Sequence, residues 1–448
     1  MAGGDEQGDG MRISVIGCGY LGAVHAACMA TLGHDVVGVD VDARKVGSLR
    51  DGRAPFYEPG LDGLLAEARA SGRLTFTTDP AAAADAEVHF VCVGTPQRAD
   101  SYAADLSSVD AAFRSLVPHL AADAVVVGKS TVPVGTAARL ADELAAVRPT
   151  ATLVWNPEFL REGFAVQDTL RPDRLVYGVP DDAAGARAVE ALDAVYAAAL
   201  GDGTPRLVVD RATAELVKVA ANSFLATKIS FINAMAELCE VAGGDVTLLA
   251  DAIGLDERIG RRFLNAGLGF GGGCLPKDIR AFMARAEELH ADPAVSFLRE
   301  VDSINLRRRE RMVDLTVGVL DGRPLAGARV AVLGAAFKPD SDDVRDSPAL
   351  DVAERLHHRS ARVVVTDPRA LANARAKAPS LGFAETVEEA VDGVDAVLVL
   401  TEWQEYKDLD PGKLYGLVAA PRVVDGRNAL DATVWREAGW TYRALGRR

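Results

Sequence analysis

The apolar residues of this chain come in short runs that alternate with stretches of helical spacing. Residues 11–16 (MRISVI), 35–40 (DVVGVD), 88–93 (VHFVCV) and 124–129 (AVVVGK) are four of these runs. Strands of a buried parallel sheet are apolar on both faces, and alternation with helices is typical of a doubly wound sheet. The pattern therefore predicts an α/β domain in the first half of the chain.

The middle of the chain changes to helix. Residues 212–242 keep apolar side chains at helical spacing and contain no proline, which predicts one long helix. A second helix is predicted from Pro293 to Val319, and its basic run at residues 307–309 is interpreted as an exposed face. Apolar runs return at residues 329–333 and 362–366, and they predict a second sheet.

These patterns predict an α/β fold with two Rossmann-like doubly wound domains, joined by a helical central domain that contains the long helix. We place the three domains at residues 11–205, 206–320 and 321–448. Residues 1–10 (MAGGDEQGDG) are polar, glycine-rich and acidic, so we predict a disordered tail there.

Composition narrows the class of protein. The 448 residues are 49% hydrophobic and 25% charged, which is ordinary for a soluble globular protein of two or three domains. A net charge of −15 disfavours nucleic acid as a partner, and no apolar run reaches the roughly 18 residues of a membrane span. Five cysteines without CxxC spacing argue against disulfides and structural zinc, so we expect no metal and a cytoplasmic location.

A glycine-rich turn, Gly17-Cys18-Gly19-Tyr20-Leu21-Gly22, follows the first strand. Asp40 ends the second strand, near the spacing expected of a dinucleotide-binding fingerprint. The glycines would let a pyrophosphate approach the helix N-terminus, and Asp40 would bind the adenosine ribose, which favours NAD over NADP. Lys45 would soften that preference, and a purely structural turn is the alternative reading of the glycines.

Two strand ends and one loop carry further candidate side chains. Thr95 and Thr131 follow strands and would point toward the cofactor crevice, although turn or helix-cap hydroxyls are the alternative. Glu158 and Glu162 lie four residues apart after another strand, where they could take part in chemistry or lie on the surface.

Polar side chains also interrupt the long helix. Lys218 and Asn222 are an i,i+4 pair, so they share one face of the helix. Among alanines and valines this pair suggests a small polar site, and a solvated stripe is the alternative.

The chemistry of the chain is concentrated at Cys274, which follows three glycines and precedes Pro276. Because proline fits the first turn of a helix, we predict that Cys274 lies at a helix N-terminus, where the helix dipole and Lys277 would favour a thiolate. A thiolate can hold an aldehyde as a thiohemiacetal, which loses hydride to become a thioester that water cleaves. This predicts oxidation of an alcohol to a carboxylate with two NAD; a buried structural cysteine is the alternative.

The second α/β domain carries basic residues but lacks a GxGxxG run, so we expect no second dinucleotide there. Lys338, Arg345 and the pair Arg427-Asn428 follow strands or lie in loops. Each of these residues could receive a phosphate group.

The chain resembles the UDP-glucose/GDP-mannose dehydrogenase family over essentially all of residues 11–448. The resemblance rests on several motifs in a fixed order: GTP (94–96), STVPVGT (130–136), NPEFLREG (156–163), Lys218 with Asn222, GFGGGCLPKD (269–278), FKPDSDDVRDSP (337–348) and DGRN (425–428). It implies that the first domain binds NAD and that the last domain binds a nucleotide sugar. The long central helices have a large apolar face to bury, which predicts a two-fold dimer as the minimum assembly.

The resemblance implies a role for each matching residue in the oxidation. Cys274 would be the covalent nucleophile. Lys218 and Asn222 would stabilise oxyanions that develop on the sugar C6 oxygen.

Further residues would serve the hydrolysis of the thioester. Thr131 and Asp278 would position a water molecule. Glu162 would act as the base, and Glu158 would support it.

The resemblance also implies two sets of binding residues. The expected contacts with NAD are Gly17, Gly19, Tyr20, Leu21, Gly22, Asp40, Lys45, Thr95, Thr131, Glu162, Lys277 and Arg345. The expected contacts with the nucleotide sugar are Glu158, Phe159, Leu160, Lys218, Asn222, Arg258, Phe263, Gly271, Cys274, Phe337 and Lys338. Arg258 would reach the sugar site of a neighbouring subunit in a homodimer or a higher homo-oligomer.

The expected reaction is four-electron oxidation of a UDP-sugar C6 alcohol, with UDP-glucose as the expected substrate because residues 269–282 and 336–348 are most similar to that branch. GDP-mannose and UDP-N-acetylhexosamines remain alternatives. A β-hydroxyacid type dehydrogenase, which needs no cysteine and yields one NADH, is a rival class. A non-enzymatic NAD-binding scaffold is another.

Overall fold

The computed structural model describes residues 10–447. The tail expected at residues 1–10 therefore falls, apart from Gly10, outside the described residues. The chain divides into two compact units, Met1–Ala221 and Asn222–Arg448, which we call the N-terminal and the C-terminal unit.

The N-terminal unit is built on one sheet. Its strands are β1 (Arg12–Ile16), β2 (Asp35–Val39), β3 (Leu74–Thr77), β4 (Val88–Val91), β5 (Val125–Gly128), β6 (Thr152–Trp155), β7 (Leu175–Gly178) and β8 (Arg206–Val209). They lie in the order β3-β2-β1-β4-β5-β6-β7-β8, and neighbours are parallel except β6 and β7. The first six follow the strand order of a dinucleotide-binding Rossmann fold, which confirms the α/β prediction.

Strands β1, β2, β4 and β5 correspond to the apolar runs of the sequence, and most of their side chains are buried. Every residue of β4, β5, β6 and β7 is buried. Strands β3, β7 and β8 are not among those runs, and β8 begins the stretch that the sequence analysis assigns to the helical domain. The first three side chains of β8 are exposed, so it has no buried apolar run to reveal it.

Helices cover the sheet of the N-terminal unit. They are α1 (Tyr20–Thr31), α2 (Ala43–Arg50), α3 (Leu61–Ala70), α4 (Ser107–Leu116), α5 (Thr136–Val147), α6 (Ala165–Leu170), α7 (Ala183–Val195) and α8 (Ala197–Gly201), with short 3-10 turns at Pro80–Ala83 and Val117–His119. Asp42 and Asp182 cap α2 and α7 by accepting hydrogen bonds from backbone N–H groups of the first turn. The long helix α9 (Arg211–Ala242) follows, and its bounds confirm the helix expected at residues 212–242.

The C-terminal unit holds the rest of α9 and a second sheet. The further helices are α10 (Val246–Gly254), α11 (Leu275–Glu288), α12 (Asp292–Val295), α13 (Phe297–Val319), α14 (Pro348–His358), α15 (Leu371–Lys377), α16 (Val387–Val391), α17 (Gln404–Lys407), α18 (Pro411–Tyr415) and α19 (Ala432–Glu437). The strands are β9 (Arg329–Leu333), β10 (Arg362–Thr366), β11 (Gly382–Phe383), β12 (Ala396–Val399), β13 (Arg422–Asp425) and β14 (Thr441–Ala444). Their order, β11-β10-β9-β12-β13-β14, repeats the Rossmann order and is parallel throughout.

The basic run of α13 corrects one expectation from the sequence. Arg307 is exposed as expected, but Arg308 is fully buried beside Glu237 and Glu240. Arg309 is also buried, and its guanidinium lies 2.9 Å from a carboxylate oxygen of each of two aspartates of the C-terminal unit. Three consecutive helical residues span about 200° around the axis, so they cannot all share one exposed face.

Candidate active site

The glycine-rich turn between β1 and α1 has the features that a pyrophosphate requires. Gly17 has a positive φ of 90°, and a Cβ on Gly22 would lie 1.8 Å from the Gly17 carbonyl oxygen. A Cβ on Gly19 would meet nothing within 4 Å, so that side of the turn is open. Tyr20 and Leu21 begin α1 directly after the turn. These residues therefore fit the dinucleotide that the sequence predicts.

Asp40 lies beside this turn at the end of β2. Its Oδ2 atom accepts a hydrogen bond from the Cys18 N–H at 2.7 Å and from the Lys45 ammonium at 2.9 Å. Its Oδ1 atom accepts from the Asp42 N–H at 2.9 Å. The carboxylate is thus fixed where the ribose contact is predicted, and Lys45 balances its charge.

The two threonines expected at the crevice lie on neighbouring strand ends. Thr95 follows β4 and is buried, and Thr131 follows β5. The hydroxyl of Thr95 donates a hydrogen bond to the backbone carbonyl of Thr131 at 2.8 Å. The two strand ends are therefore tied together, and the cofactor contacts of both threonines stay predictions.

Glu158 and Lys218 form a nearly buried ion pair. The Lys218 ammonium lies 3.0 Å from Oε1 of Glu158, whose Oε2 accepts from the Leu160 N–H at 2.7 Å. Two cations lie near the ring of Phe159, with the Arg174 guanidinium 3.7 Å and the Lys218 ammonium 5.7 Å from its centroid. The lysine expected to stabilise an oxyanion is thus held in place by the Glu158 loop.

A buried carboxylate that the sequence analysis missed holds the segment after Glu162. Glu58 accepts hydrogen bonds from the N–H groups of Gly163 and Ala165 and from the hydroxyl of Tyr20. The sequence shows only a lone glutamate before a Pro-Gly turn, and this gives no sign of its partners.

In the C-terminal unit, Cys274 is the N-cap residue of α11, which confirms the expected helix N-terminus. Its carbonyl accepts the first helical hydrogen bond, from the Asp278 N–H at 2.9 Å. All five cysteines lie among the described residues, and Cys274 is the exposed one. Burial raises the pKa of Cys92 to about 12, so that thiol is a poor nucleophile.

Asp278 links two other residues with expected roles. Its Oδ2 atom accepts from the side-chain amide of Asn222 at 2.6 Å, and its Oδ1 atom lies 2.5 Å from the Lys277 ammonium. Asp278 is buried, so both contacts are protected from water. The positive charge expected near Cys274 from Lys277 is therefore balanced by a carboxylate one residue away.

Two side chains fix the backbone of the glycine loop that precedes Cys274. Asn305 accepts from the Phe270 N–H at 2.8 Å and donates to the Phe270 carbonyl at 2.9 Å. Arg427 donates to the carbonyls of Gly269 and Phe337 at 2.8 and 3.1 Å. Arg427 was considered for a phosphate contact, and in the structure it binds these backbone carbonyls.

The glycines of this loop allow two expected ligand residues to approach closely. A Cβ on Gly273 would lie 2.3 Å from the guanidinium carbon of Arg345, and one on Gly272 would lie 2.8 Å from the Phe337 ring. Arg345 is oriented by Asp343, whose carboxylate lies 2.6 Å from its Nη2. The pairing with Arg345 explains why Asp343 lies in a segment that is expected to bind an anion.

The remaining expected residues of the C-terminal unit have simpler surroundings. A Cβ on Gly271 would lie 2.3 Å from the Asp346 carbonyl, and Lys338 lies 5.6 Å from the ring centroid of the preceding residue. The Arg258 side chain is 88% exposed and pairs with Asp256, two residues before it. Phe263 has a positive φ of 66°.

The expected residues therefore fall into one group in each unit. The N-terminal unit holds Gly17, Gly19, Tyr20, Leu21, Gly22, Asp40, Lys45, Thr95, Thr131, Glu158, Phe159, Leu160, Glu162 and Lys218. The C-terminal unit holds Asn222, Arg258, Phe263, Gly271, Cys274, Lys277, Asp278, Phe337, Lys338 and Arg345.

A Rossmann sheet with an open glycine turn, together with an exposed thiol at a helix N-terminus, defines a dinucleotide-dependent dehydrogenase with a candidate cysteine nucleophile. Comparison with known proteins makes the class specific: the chain belongs to the UDP-glucose/GDP-mannose dehydrogenase family. Its NAD binding domain model matches residues 11–200, its central domain model residues 212–307 and its UDP binding domain model residues 331–432. This confirms the resemblance and NAD as the cofactor.

Individual relatives resemble the chain over its whole length. A UDP-glucose 6-dehydrogenase of Rhizobium meliloti is 43% identical over 98% of this chain and 100% of its own length. The structure of a UDP-glucose dehydrogenase from Pyrobaculum islandicum has a TM-score of 0.89 and 41% identity, and the match covers 100% of both chains. A UDP-D-ManNAc dehydrogenase from Pyrococcus horikoshii has a TM-score of 0.85 and 27% identity, covering 98% of this chain and 99% of its own.

Residues 10–447 were compared with the requirements of a membrane span and of a metal site only through their own helices and side chains. None of the helices there combines the length and the apolar character that crossing a membrane demands. In the same range, no group of three or more His, Cys, Asp or Glu side chains is arranged to hold a metal ion.

A buried lysine that the sequence analysis did not single out lies beneath the Glu158 loop. The Lys129 ammonium donates to the side-chain oxygen of Asn156 at 2.9 Å and to the Tyr196 hydroxyl at 3.1 Å. Burial lowers the pKa of Lys129 to about 8, against opposing contributions from Cys92 and Glu158. Lys129 ends the apolar run at residues 124–129, so the sequence pattern indicates only a strand residue there.

We predict that Lys129 makes the stability of the protein depend on pH above about 8. The pKa of Lys129 is about 8 in the folded chain against the ordinary lysine value of 10.5, so between these two pH values the unfolded chain keeps a proton that the folded chain has lost. The contribution of Lys129 to the free energy of unfolding should therefore rise with pH, by up to about 3 kcal/mol.

Urea unfolding of the wild type and of Lys129→Met at pH 7.5 and pH 10 measures this contribution. The wild type should gain stability relative to Lys129→Met between the two pH values. Lys377→Met, which removes an exposed lysine, is the control and should show no such change relative to the wild type. A difference between wild type and Lys129→Met that stays constant with pH would contradict the prediction.

Proposed function

We propose that this chain oxidises the C6 alcohol of UDP-glucose to the carboxylate of UDP-glucuronate with two NAD, through a covalent intermediate on Cys274. The observation that carries the proposal is the exposed thiol at the N-terminus of α11. Hydride transfer from an alcohol needs no thiol, whereas oxidation of the resulting aldehyde to an acid gains from one. We infer that the three domains predicted from the sequence have separate roles. Residues 11–205 bind NAD, residues 206–320 form the dimer and residues 321–448 bind the nucleotide sugar.

In the proposed reaction, Cys274 attacks the C6 aldehyde and forms a carbon–sulfur bond. Lys218 and Asn222 stabilise the oxygen that becomes negatively charged in this step. The glycine turn would hold NAD, which would supply the hydride acceptor for each of the two oxidations. The carbon attached to Cys274 is then a thioester.

Hydrolysis of the thioester releases the carboxylate and regenerates the thiol. Glu162 takes a proton from the attacking water, which Thr131 and Asp278 position. Glu158 supports this step through its ion pair with Lys218, which keeps both side chains fixed.

The choice of UDP-glucose is supported by similarity along the whole chain. The relatives named for UDP-glucose are 43% and 41% identical to this chain, whereas the relative named for UDP-D-ManNAc is 27% identical. UDP-glucose is therefore favoured over UDP-N-acetylhexosamines.

The yield of NADH per sugar tests the proposed reaction. We expect two NADH per UDP-glucose consumed, because two hydrides leave the same carbon. A β-hydroxyacid type dehydrogenase would give one.

Cys274→Ser should lower the rate of acid formation by roughly 10³-fold or more, because its hydroxyl is a far weaker nucleophile.

The control is Cys239→Ser, which alters a buried cysteine of the C-terminal unit and should keep the wild-type yield. Binding of NAD and UDP-glucose without turnover would support a scaffold. Rapid formation of two NADH by Cys274→Ser would refute the covalent mechanism.

We also propose that the protein acts as a two-fold dimer in a reducing, cytoplasmic compartment, where Cys274 stays a thiol. Helix α9 exposes Phe224, Phe231 and Leu238, which are spaced by seven residues and are 67%, 49% and 60% exposed. Such spacing places them on one stripe of the helix, and a two-fold partner covers a stripe with its own copy. The exposed Arg258 is then available to the sugar site of the second copy, as the family resemblance implies.

We predict that Phe231→Glu converts the dimer to a monomer, because a charge at the centre of the stripe would be buried without a partner. Light scattering after size-exclusion chromatography should give twice 47.2 kDa for the wild type and 47.2 kDa for the variant. The control is Val434→Glu, which alters an exposed apolar residue of α19 and should leave the mass unchanged. A monomeric wild type, or a variant that stays dimeric, would contradict the proposal.

A further inference from the structure

The segment that carries Glu162 is held at three points within the N-terminal unit. Before Glu162, the Glu158 carboxylate binds the Leu160 N–H at 2.7 Å. Arg161 binds Asp168 through its guanidinium, at 2.9 and 2.7 Å. After Glu162, the anchor is the Glu58 carboxylate.

The third anchor comes from a distant part of the sequence. Glu58 precedes α3 and is 6% exposed. Its Oε2 atom accepts from the Gly163 N–H at 2.6 Å, and its Oε1 atom accepts from the Ala165 N–H at 2.7 Å. Hydrogen bonds to a buried carboxylate are short and strong, so both peptide units are firmly fixed.

The same carboxylate is joined to the glycine-rich turn. The Tyr20 hydroxyl donates to Oε2 of Glu58 and also accepts from the Gly163 N–H at 3.1 Å. Burial, the hydrogen bond to Glu58 and the negative charges of Glu58 and Glu162 raise the pKa of Tyr20. The Tyr20 hydroxyl therefore keeps its proton and remains a donor. The negative charge of Glu162 contributes to the shift in the Tyr20 pKa.

The backbone at Gly163 depends on the hydrogen bonds that Glu58 accepts. Its φ is +80°, a conformation that leaves the peptide after Glu162 turned toward Glu58. Loss of one acceptor would leave a buried N–H without a partner, and the backbone next to Glu162 would move to recover one.

We propose that Glu58 is a positioning residue for thioester hydrolysis, because its buried carboxylate fixes the peptide that follows Glu162 and ties it to Tyr20 at the glycine-rich turn. This inference rests on the proposed function, in which Glu162 takes a proton from the water that cleaves the thioester. Displacement of a base by about 1 Å can cost roughly 100-fold in rate. Loss of Glu58 then slows hydrolysis and spares the two oxidations before it.

The test uses the full chain with UDP-glucose and NAD, and Glu58→Gln as the main variant. Glutamine keeps the size of the side chain but has only one oxygen to accept from two N–H groups and a hydroxyl. We expect steady-state turnover to fall about 10- to 100-fold. Stopped-flow absorbance should show a burst of about two NADH per subunit before the slow phase, because both hydrides leave before hydrolysis.

Two comparison variants separate positioning from general damage. Glu58→Asp keeps the carboxylate on a side chain that is one methylene shorter. It should turn over faster than Glu58→Gln, with a smaller difference between the burst rate and the steady-state rate. Glu67→Gln removes an exposed carboxylate of α3 and should behave as the wild type. Thermal unfolding of each variant shows whether it folds, and Glu58→Asp serves as the test if Glu58→Gln does not.

The outcomes distinguish this inference from the function on which it rests. A wild type that yields no NADH with UDP-glucose overturns the proposed function itself. An active wild type with a folded Glu58→Gln variant that turns over within twofold of it overturns the role of Glu58 alone. Slow turnover without a burst does the same, because a merely structural defect slows all steps together.

Discussion

The placement of Cys274 at the N-terminus of α11 is the constraint on which the rest of the account depends. A thiol there is exposed and lies at the positive end of the helix dipole, which favours an anion. Asn305 and Arg427 hold the backbone of the preceding loop by binding Phe270 and Gly269. The glycines of the loop then admit Phe337 and Arg345 at distances that a Cβ would forbid.

The two units use the same strand order for different purposes, and their buried acids show why. Asp40, after β2, binds one backbone N–H of the glycine turn, and a Cβ on Gly19 would meet open space. Asp367 occupies the corresponding place after β10. Its Oδ2 atom accepts from the N–H groups of Ala335 and Ala336 and from the indole of Trp403, so that carboxylate is fully used inside the protein. The glycine turn beside Asp40 is therefore open to a dinucleotide, whereas the loop beside Asp367 is closed by contacts within the protein. The second unit, which matches the UDP binding domain model, also has no glycine fingerprint.

Features carried by local sequence could be predicted. Strands β1, β2, β4, β5, β9 and β10, the long helix and the N-cap position of Cys274 follow from short-range patterns of apolar residues, glycine and proline. Strand β8 could not be seen, because its exposed side chains leave no apolar signal.

Contacts between distant residues escaped the sequence analysis. Glu58 and Gly163 lie 105 residues apart in the chain, and Lys129 and Tyr196 lie 67 apart. Arg308 looked exposed because its carboxylate partners lie on another helix. Charged residues are buried only when such partners exist, and no local pattern records them.

The most direct test of the central claim is mass spectrometry of enzyme quenched in acid during turnover of UDP-glucose with NAD. The account predicts that the peptide containing Cys274 transiently gains the mass of a UDP-glucuronyl group, and that this gain disappears when substrate is exhausted. NADH formation with no adduct on that peptide, or an adduct on another residue, would contradict it.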